Sequence, residues 1–158
     1  MARTMIVTAF DVVETRRLRR HFDGAMELPR RRDEGPLSKA QRGRRGRLVR
    51  ALAAYRERGL FPRNDRFDRR TPFFVDAVGT RCAMAHLIEL SGHGDHVERV
   101  ASSQNNAFIR ELAGEELDDW LAGHGLTLAE AARIQPSYDH NRLEYFHAAC
   151  RHGSGRPT

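Results

Sequence analysis

The residues best able to do chemistry sit together between Thr71 and His96, in TPFFVDAVGTRCAMAHLIELSGHGDH, which holds one of the two cysteines and three of the eight histidines. Cys82 and His86 are four residues apart, so on a helix they share a face. A helix capped by Thr80 would put Cys82 in its first turn. There the unpaired amides and the helix dipole favour a thiolate, and Arg81 adds a cation. Such a pair suits a nucleophile and its base, or two ligands of a transition metal or haem. The competing reading is a small buried thiol that only packs, beside an imidazole bonded to a carbonyl. Asp76 brings a carboxylate to the same neighbourhood, as a third catalytic candidate or as the acceptor of an Asx turn.

A metal would need more ligands than Cys82 and His86. His93 lies roughly 10 Å further along a straight helix, too far for one ion with bonds of about 2 Å. His147 and Cys150, three residues apart near the C-terminus, complete a candidate set of Cys82, His86, His147 and Cys150. His93 and His96, in a glycine-flanked turn, form either a surface metal or pH-sensitive pair or two solvated side chains.

A second chemistry is written in the charge. Residues 1–70 carry 20 Arg and Lys against 9 Asp and Glu, a net +11; residues 71–158 carry 7 against 12, a net −5. Nineteen of the twenty cations are arginine, whose fork suits phosphate and carboxylate. Arg42, Arg44, Arg45, Arg47 and Arg50 are therefore candidates for binding nucleic acid or another polyanion. The alternative is that the basic half docks on the acidic one.

The elements that must place these groups are mostly helical. A chain of 158 residues fits a single domain, with residues 1–150 as that domain and 151–158 as a disordered tail. Residues 8–22 carry an apolar stripe of Phe10, Val13, Leu18 and Phe22. Ser38-x-x-Gln41 is a capping box opening a helix to Arg58, with Gly59 placed for a left-handed turn. Leu60 and Phe61 should anchor the loop that follows. Phe73, Phe74 and Val75 read as an extended segment, with at most a short hairpin near 73–76, and Asp76–Gly79 as a turn. The helix from Thr80 to Leu90 is apolar nearly all round, the mark of a buried central helix.

Short helices follow. Asp95 caps one, Asn105 or Asn106 the next, and Gly123 stops a third built on Leu117, Trp120 and Leu121. Thr127-x-x-Glu130 is a second capping box, closed by Pro136. A last helix spans 139–150. The expected fold is thus mostly α, a single multi-helix domain around the 80–90 helix.

LTLAEAARI looks like the first helix of a bacterial helix-turn-helix. Gln135-Pro136 interrupts it, and the aromatic DHNRLEYFHAAC that follows is a poor recognition helix. The pattern FFVDAVGTRCAMAHLIELSG, then Asn105-Asn106, then WLAGHGLTLAEAARIQPSY, is similar to an uncharacterised group of bacterial proteins over residues 55–138. That resemblance implies no activity. No apolar run reaches the ~18–20 residues of a membrane span, and the N-terminus lacks a secretory apolar region, so a cytoplasmic setting is expected, without a membrane partner. The leading expectation is a small protein with a metal, haem or small-molecule pocket at Cys82 and His86. The alternatives are a polyanion-binding module and an interaction protein with a structural cysteine.

Overall fold

A computed structural model describes residues 9–27 and 36–136. Among them are six helices: α1 (Ala9–Glu27), α2 (Lys39–Arg58), α3 (Ala83–Leu90), α4 (Gly94–Ser103), α5 (Glu115–His124) and α6 (Leu128–Ile134). The fold is mostly α, as the periodicity requires. Strand content among the described residues is one isolated antiparallel bridge, Val75 with Arg81. Among the described residues no helix is long and apolar enough to cross a membrane. The expected 139–150 helix, with His147 and Cys150, and the tail lie outside the described residues.

The two capping boxes form as read. Ser38 Oγ accepts from Gln41 N at 3.1 Å, and Gln41 Oε1 accepts from Ser38 N at 2.9 Å. Thr127 and Glu130 make the same reciprocal pair at the start of α6. Gly59 closes α2 in the left-handed region at φ 66°. A side chain would be strained there.

α3 is the centre. Ala83, Met84, Ala85, Leu87 and Ile88 are all buried, and α2, α4 and α6 pack on it. Leu48, Leu52 and Tyr55 of α2 and Leu18, Phe22 and Ala25 of α1 join the same core. Tyr55 gathers an aromatic group: Phe22 edge-on at 5.5 Å, Phe61 at 5.4 Å and His86 stacked at 5.3 Å between ring centroids.

Several expected details are corrected. α1 runs past Phe22 through Gly24, and Val13 faces outward, 43% exposed. Leu60 is 62% exposed, so Phe61 alone anchors its loop against the core. Leu90, at the end of α3, is also exposed; α3 is buried along most of its length but not at its last residue. α4 begins at Gly94 after His93, with no side-chain cap, and Asp95 sits in its first turn. α5 passes Gly123 and ends at Gly125, φ 65°.

Candidate functional site

The Cys82 region is built by a clamp. Among the described residues the extended segment 72–75 has only the bridge to Arg81 on one side, and its remaining buried backbone groups must find partners. Asn105 and Asn106 supply them. Asn105 Oδ1 accepts from Val75 N at 2.9 Å while its Nδ2 donates to Val75 O at 2.8 Å. Its backbone carbonyl accepts from Phe74 N at 2.8 Å. Asn106 Nδ2 donates to Pro72 O at 2.7 Å. Asn105 or Asn106 is the expected cap of a helix here; residues 105–112 instead form turns, and the amides pair with the extended chain. On its other side Phe74 O accepts from Cys82 N at 2.8 Å. Tyr55 Oη donates to Arg81 O at 2.9 Å. The start of α3 is therefore held by Phe74 and Tyr55, and Asn105 and Asn106 in turn hold the segment that carries Phe74.

Thr80 does not cap this helix. Cys82 does: α3 begins at Ala83, and Cys82 Sγ accepts from Ala85 N at 3.4 Å. Position explains the difference. Thr80 is tied into the turn before it, its N–H donating to Asp76 Oδ1 at 2.8 Å and its carbonyl accepting from Asp76 N at 3.0 Å. A cap sulfur receives amide N–H groups, which favour the thiolate. Burial opposes them and is the larger effect, pushing the thiol up to about 11. The expected activated thiolate is thus replaced by a neutral thiol at physiological pH. The cavity beside Cys82 is lined by Phe74, Ala83, Met84, Ile109, Gln135 and Pro136 and holds about 10 Å³. That is room for one water at most, against the roughly 300 Å³ or more of a cofactor site.

His86 does not face the sulfur. Its ring lies on Tyr55; its backbone N–H donates to Cys82 O at 2.9 Å, but no hydrogen bond joins the ring to Cys82 Sγ among the described residues. Burial holds its pKa below the ordinary histidine value, with Arg58 adding to the effect. Asp76 is spent on backbone. Oδ1 accepts from Val78 N and Thr80 N, and Oδ2 from Arg63 N at 3.0 Å. It organises a turn and pins the 59–63 loop to it, the Asx reading rather than the catalytic one. No group of three or more His, Cys, Asp or Glu side chains positioned to hold a metal occurs among the described residues. His147 and Cys150 lie outside them. Cys82 and His86 supply no convergent pair on their own.

The arginine-rich helix divides into two faces. Arg45 was a candidate nucleic-acid contact, but it is 6% exposed. Its Nη2 lies 2.6 Å from Glu130 Oε1, and Nη1 donates to Glu130 Oε2 at 3.2 Å and to the Gly125 carbonyl. Arg44 Nε donates to Gly123 O at 2.5 Å, and Gln41 Nε2 to Ala122 O at 2.9 Å. Three side chains of α2 thus satisfy carbonyls at the C-terminal end of α5, where helices leave acceptors unpaired. In part this is the basic half docking on the acidic one.

The other face of α2 is open. Arg42, Arg47 and Arg50 are exposed, and among the described residues none has an acidic partner. Gly43 and Gly46 lie between them. A Cβ at Gly43 would meet only Arg47 Nη1 at 3.9 Å, and one at Gly46 only Arg50 Nη1 at 3.6 Å. The two guanidiniums therefore lie back along the helix over bare backbone. The first turn of α2 holds no acid.

A third group was not put together from the sequence. Trp120 Nε1 donates to Ser91 Oγ at 2.8 Å, and Ser91 Oγ donates to Ile88 O at 2.8 Å. His124 stacks on Trp120 at 4.6 Å and bonds its carbonyl through Nδ1 at 2.7 Å. His93 meets His124 edge-to-face at 6.1 Å. His96 goes elsewhere, buried, with Nδ1 2.8 Å from Glu116 Oε2. So His93 pairs with His124 rather than with His96. The glycines flanking His124 in AGHG were the available signal, but they read only as a helix stop.

Comparison of the chain with protein-family models, with curated proteins and with solved structures finds no match.

Proposed function

We propose that the protein binds nucleic acid through the phosphate backbone, using the outer face of α2. The observation that carries this reading is the arginine row Arg42, Arg47 and Arg50, exposed and without acidic partners among the described residues. Some arginines find acids, Arg45 with Glu130, Arg70 with Glu14, Arg81 with Glu89 and Glu98; what sets Arg42, Arg47 and Arg50 apart is that three without one share a single exposed helix face. The row on α2 is left for an external anion. Each glycine inside the helix costs about 1 kcal/mol relative to alanine, and no neighbouring element comes close enough to require Gly43 or Gly46. The glycines instead give the Arg47 and Arg50 guanidiniums room to lie along the helix surface. Phosphate contacts position a nucleic acid without reading its sequence, so the binding is sequence-independent and salt-sensitive.

In this reading Cys82 is a structural cap, and the ligand-pocket reading at Cys82 and His86 draws no support from the geometry around them. The test is fluorescence anisotropy with a labelled random-sequence duplex and a labelled single strand across a salt series. The affinity should fall steeply with salt, and R47A/R50A should lower the magnitude of the log–log salt slope by roughly 2 on duplex, about 0.9 for each phosphate no longer neutralised. No binding at about 50 mM salt, or an unchanged slope in the double variant, would overturn the reading.

A further inference from the structure

The geometry points to a phosphate subsite formed by Arg47, His93 and His124, where α2, α5 and the α3–α4 turn meet. His124 is 8% exposed, and its Nδ1 is committed to the Trp120 carbonyl. A carbonyl only accepts, so Nδ1 carries the proton and Nε2 carries the lone pair of the neutral ring. Nε2 has no protein partner among the described residues and is not among the enclosed polar atoms, so the ring reaches solvent through that edge. His93 is exposed. Its Nδ1 lies 3.4 Å from Ser91 Oγ, whose own proton goes to Ile88 O and which already accepts from Trp120. The His93 Nδ1–H is therefore the donor there too, and its Nε2 has no partner among the described residues. The Trp120–Ser91 link fixes both imidazoles the same way, each with one nitrogen left to take up a proton and donate to an anion.

Among the described residues, the charged groups that act on His124 all carry the same sign. From α2 come Arg44 and Arg47, and from the α3–α4 turn comes His93; all three lower its pKa, after burial, which is the largest cause. Arg44 is anchored beside it on the Gly123 carbonyl. The acid that α6 brings to the junction, Glu130, is committed to Arg45 and to Thr127. The negative end of α5 is already quenched by Gln41, Arg44 and Arg45. A cluster of cations and protonatable rings without its own counter-ion is completed by a phosphate oxyanion. An anion there favours the charged imidazole, so binding takes up a proton and tightens as pH falls. Arg47 belongs both to this group and to the open row of α2. Extending the subsite from phosphate to a nucleic-acid chain rests on the function proposed above.

The test uses the full chain and two probes. Histidine ring NMR signals are followed from pH 5 to 8 with and without inorganic pyrophosphate at constant ionic strength. The expected result is that His93 and His124 move together and that the His124 pKa rises by about 1 or more, while His21 and His86 stay put. R47A should reduce that response. Rings unmoved by pyrophosphate at pH 5.5 would overturn the subsite. A labelled oligonucleotide separates the two proposals. If it binds with an affinity independent of pH between 5.5 and 8, the subsite falls and the open arginine row stands. If pyrophosphate moves both rings but no oligonucleotide binds, the subsite stands and the nucleic-acid reading falls.

Discussion

Breaking the pair between Arg45 and Glu130 should be among the most damaging substitutions available. The side chains are 7% and 13% exposed and meet through two hydrogen bonds, at 2.6 and 3.2 Å. Glu130→Met leaves the Arg45 guanidinium buried without its carboxylate, which typically costs 3–5 kcal/mol, ~4. It also removes the acceptor for Thr127 N at 2.9 Å in the capping box, worth about 1 kcal/mol more. Arg45→Met leaves Glu130 with its Thr127 donors and should cost less, about 3 kcal/mol. The double variant replaces both charges with hydrocarbon, which buried pairs often tolerate. Its cost should therefore lie below that of the Glu130→Met single, and far below the two singles added together. Urea unfolding followed by far-UV circular dichroism at constant m-value measures all three. Since a domain of this kind is stable by only about 5–15 kcal/mol, the singles should be compared at low temperature. Additive singles, or a Glu130→Met cost under about 1 kcal/mol, would refute the claim that this pair is a buried, coupled tie. None of the three should alter the salt slope of nucleic-acid binding, because Arg45 faces inward.

Other outcomes follow from the same geometry. Burial lowers the pKa of His21, His86 and His124, so below the ordinary value of about 6.5 the unfolded chain takes up protons that the folded one refuses. Stability should be full above about pH 6.5 and decline as pH falls toward 5, read as a falling urea midpoint; a flat midpoint over that range contradicts the burial of these rings. With Cys150 replaced by serine, Cys82 should resist iodoacetamide at pH 7.5 in the folded state and react once unfolded, and rapid folded-state alkylation would speak against a thiol raised to about 11. Asn105→Ala removes both side-chain bonds to Val75 and should cost about 1–3 kcal/mol, seen as a lower melting temperature; no change would mean the extended segment is held without the clamp. Gly125→Ala should destabilise by about 1–2 kcal/mol, since φ is 65° and the new methyl would lie 3.1 Å from Leu37 Cδ2; a neutral result in the same melt would contradict the tight seat of Gly125 on α2.

Local rules carried the helices and stopped where partners come from far along the chain. Ser38–Gln41, Thr127–Glu130 and Gly59 act on their own neighbours, so their roles were legible in four or five letters. Asn105 was not, because its partner is Val75, thirty residues earlier, and an asparagine before an apolar group looks like a cap. Thr80 fits a cap equally well until Asp76 is seen to take its amide. The Cys82–His86 spacing implies one helix face, but Cys82 is the cap that precedes α3 and only His86 lies within it. Nor could that spacing show that Tyr55, arriving from α2, would occupy the imidazole face. Arg44 and Arg45 are chemically identical to Arg47 and Arg50, and only the packing of α5 against α2 separates the inward residues from the outward ones.

The reach of α2 across to the far end of α5 also governs how the chain can be divided. Gln41, Arg44 and Arg45 donate to oxygens about eighty positions later. A fragment starting beyond Arg58 would leave those peptide oxygens without their donors and strip Glu130 of its cation. The acidic second half is therefore no free-standing piece. Its last two described helices share their polar ties with a helix made much earlier in synthesis.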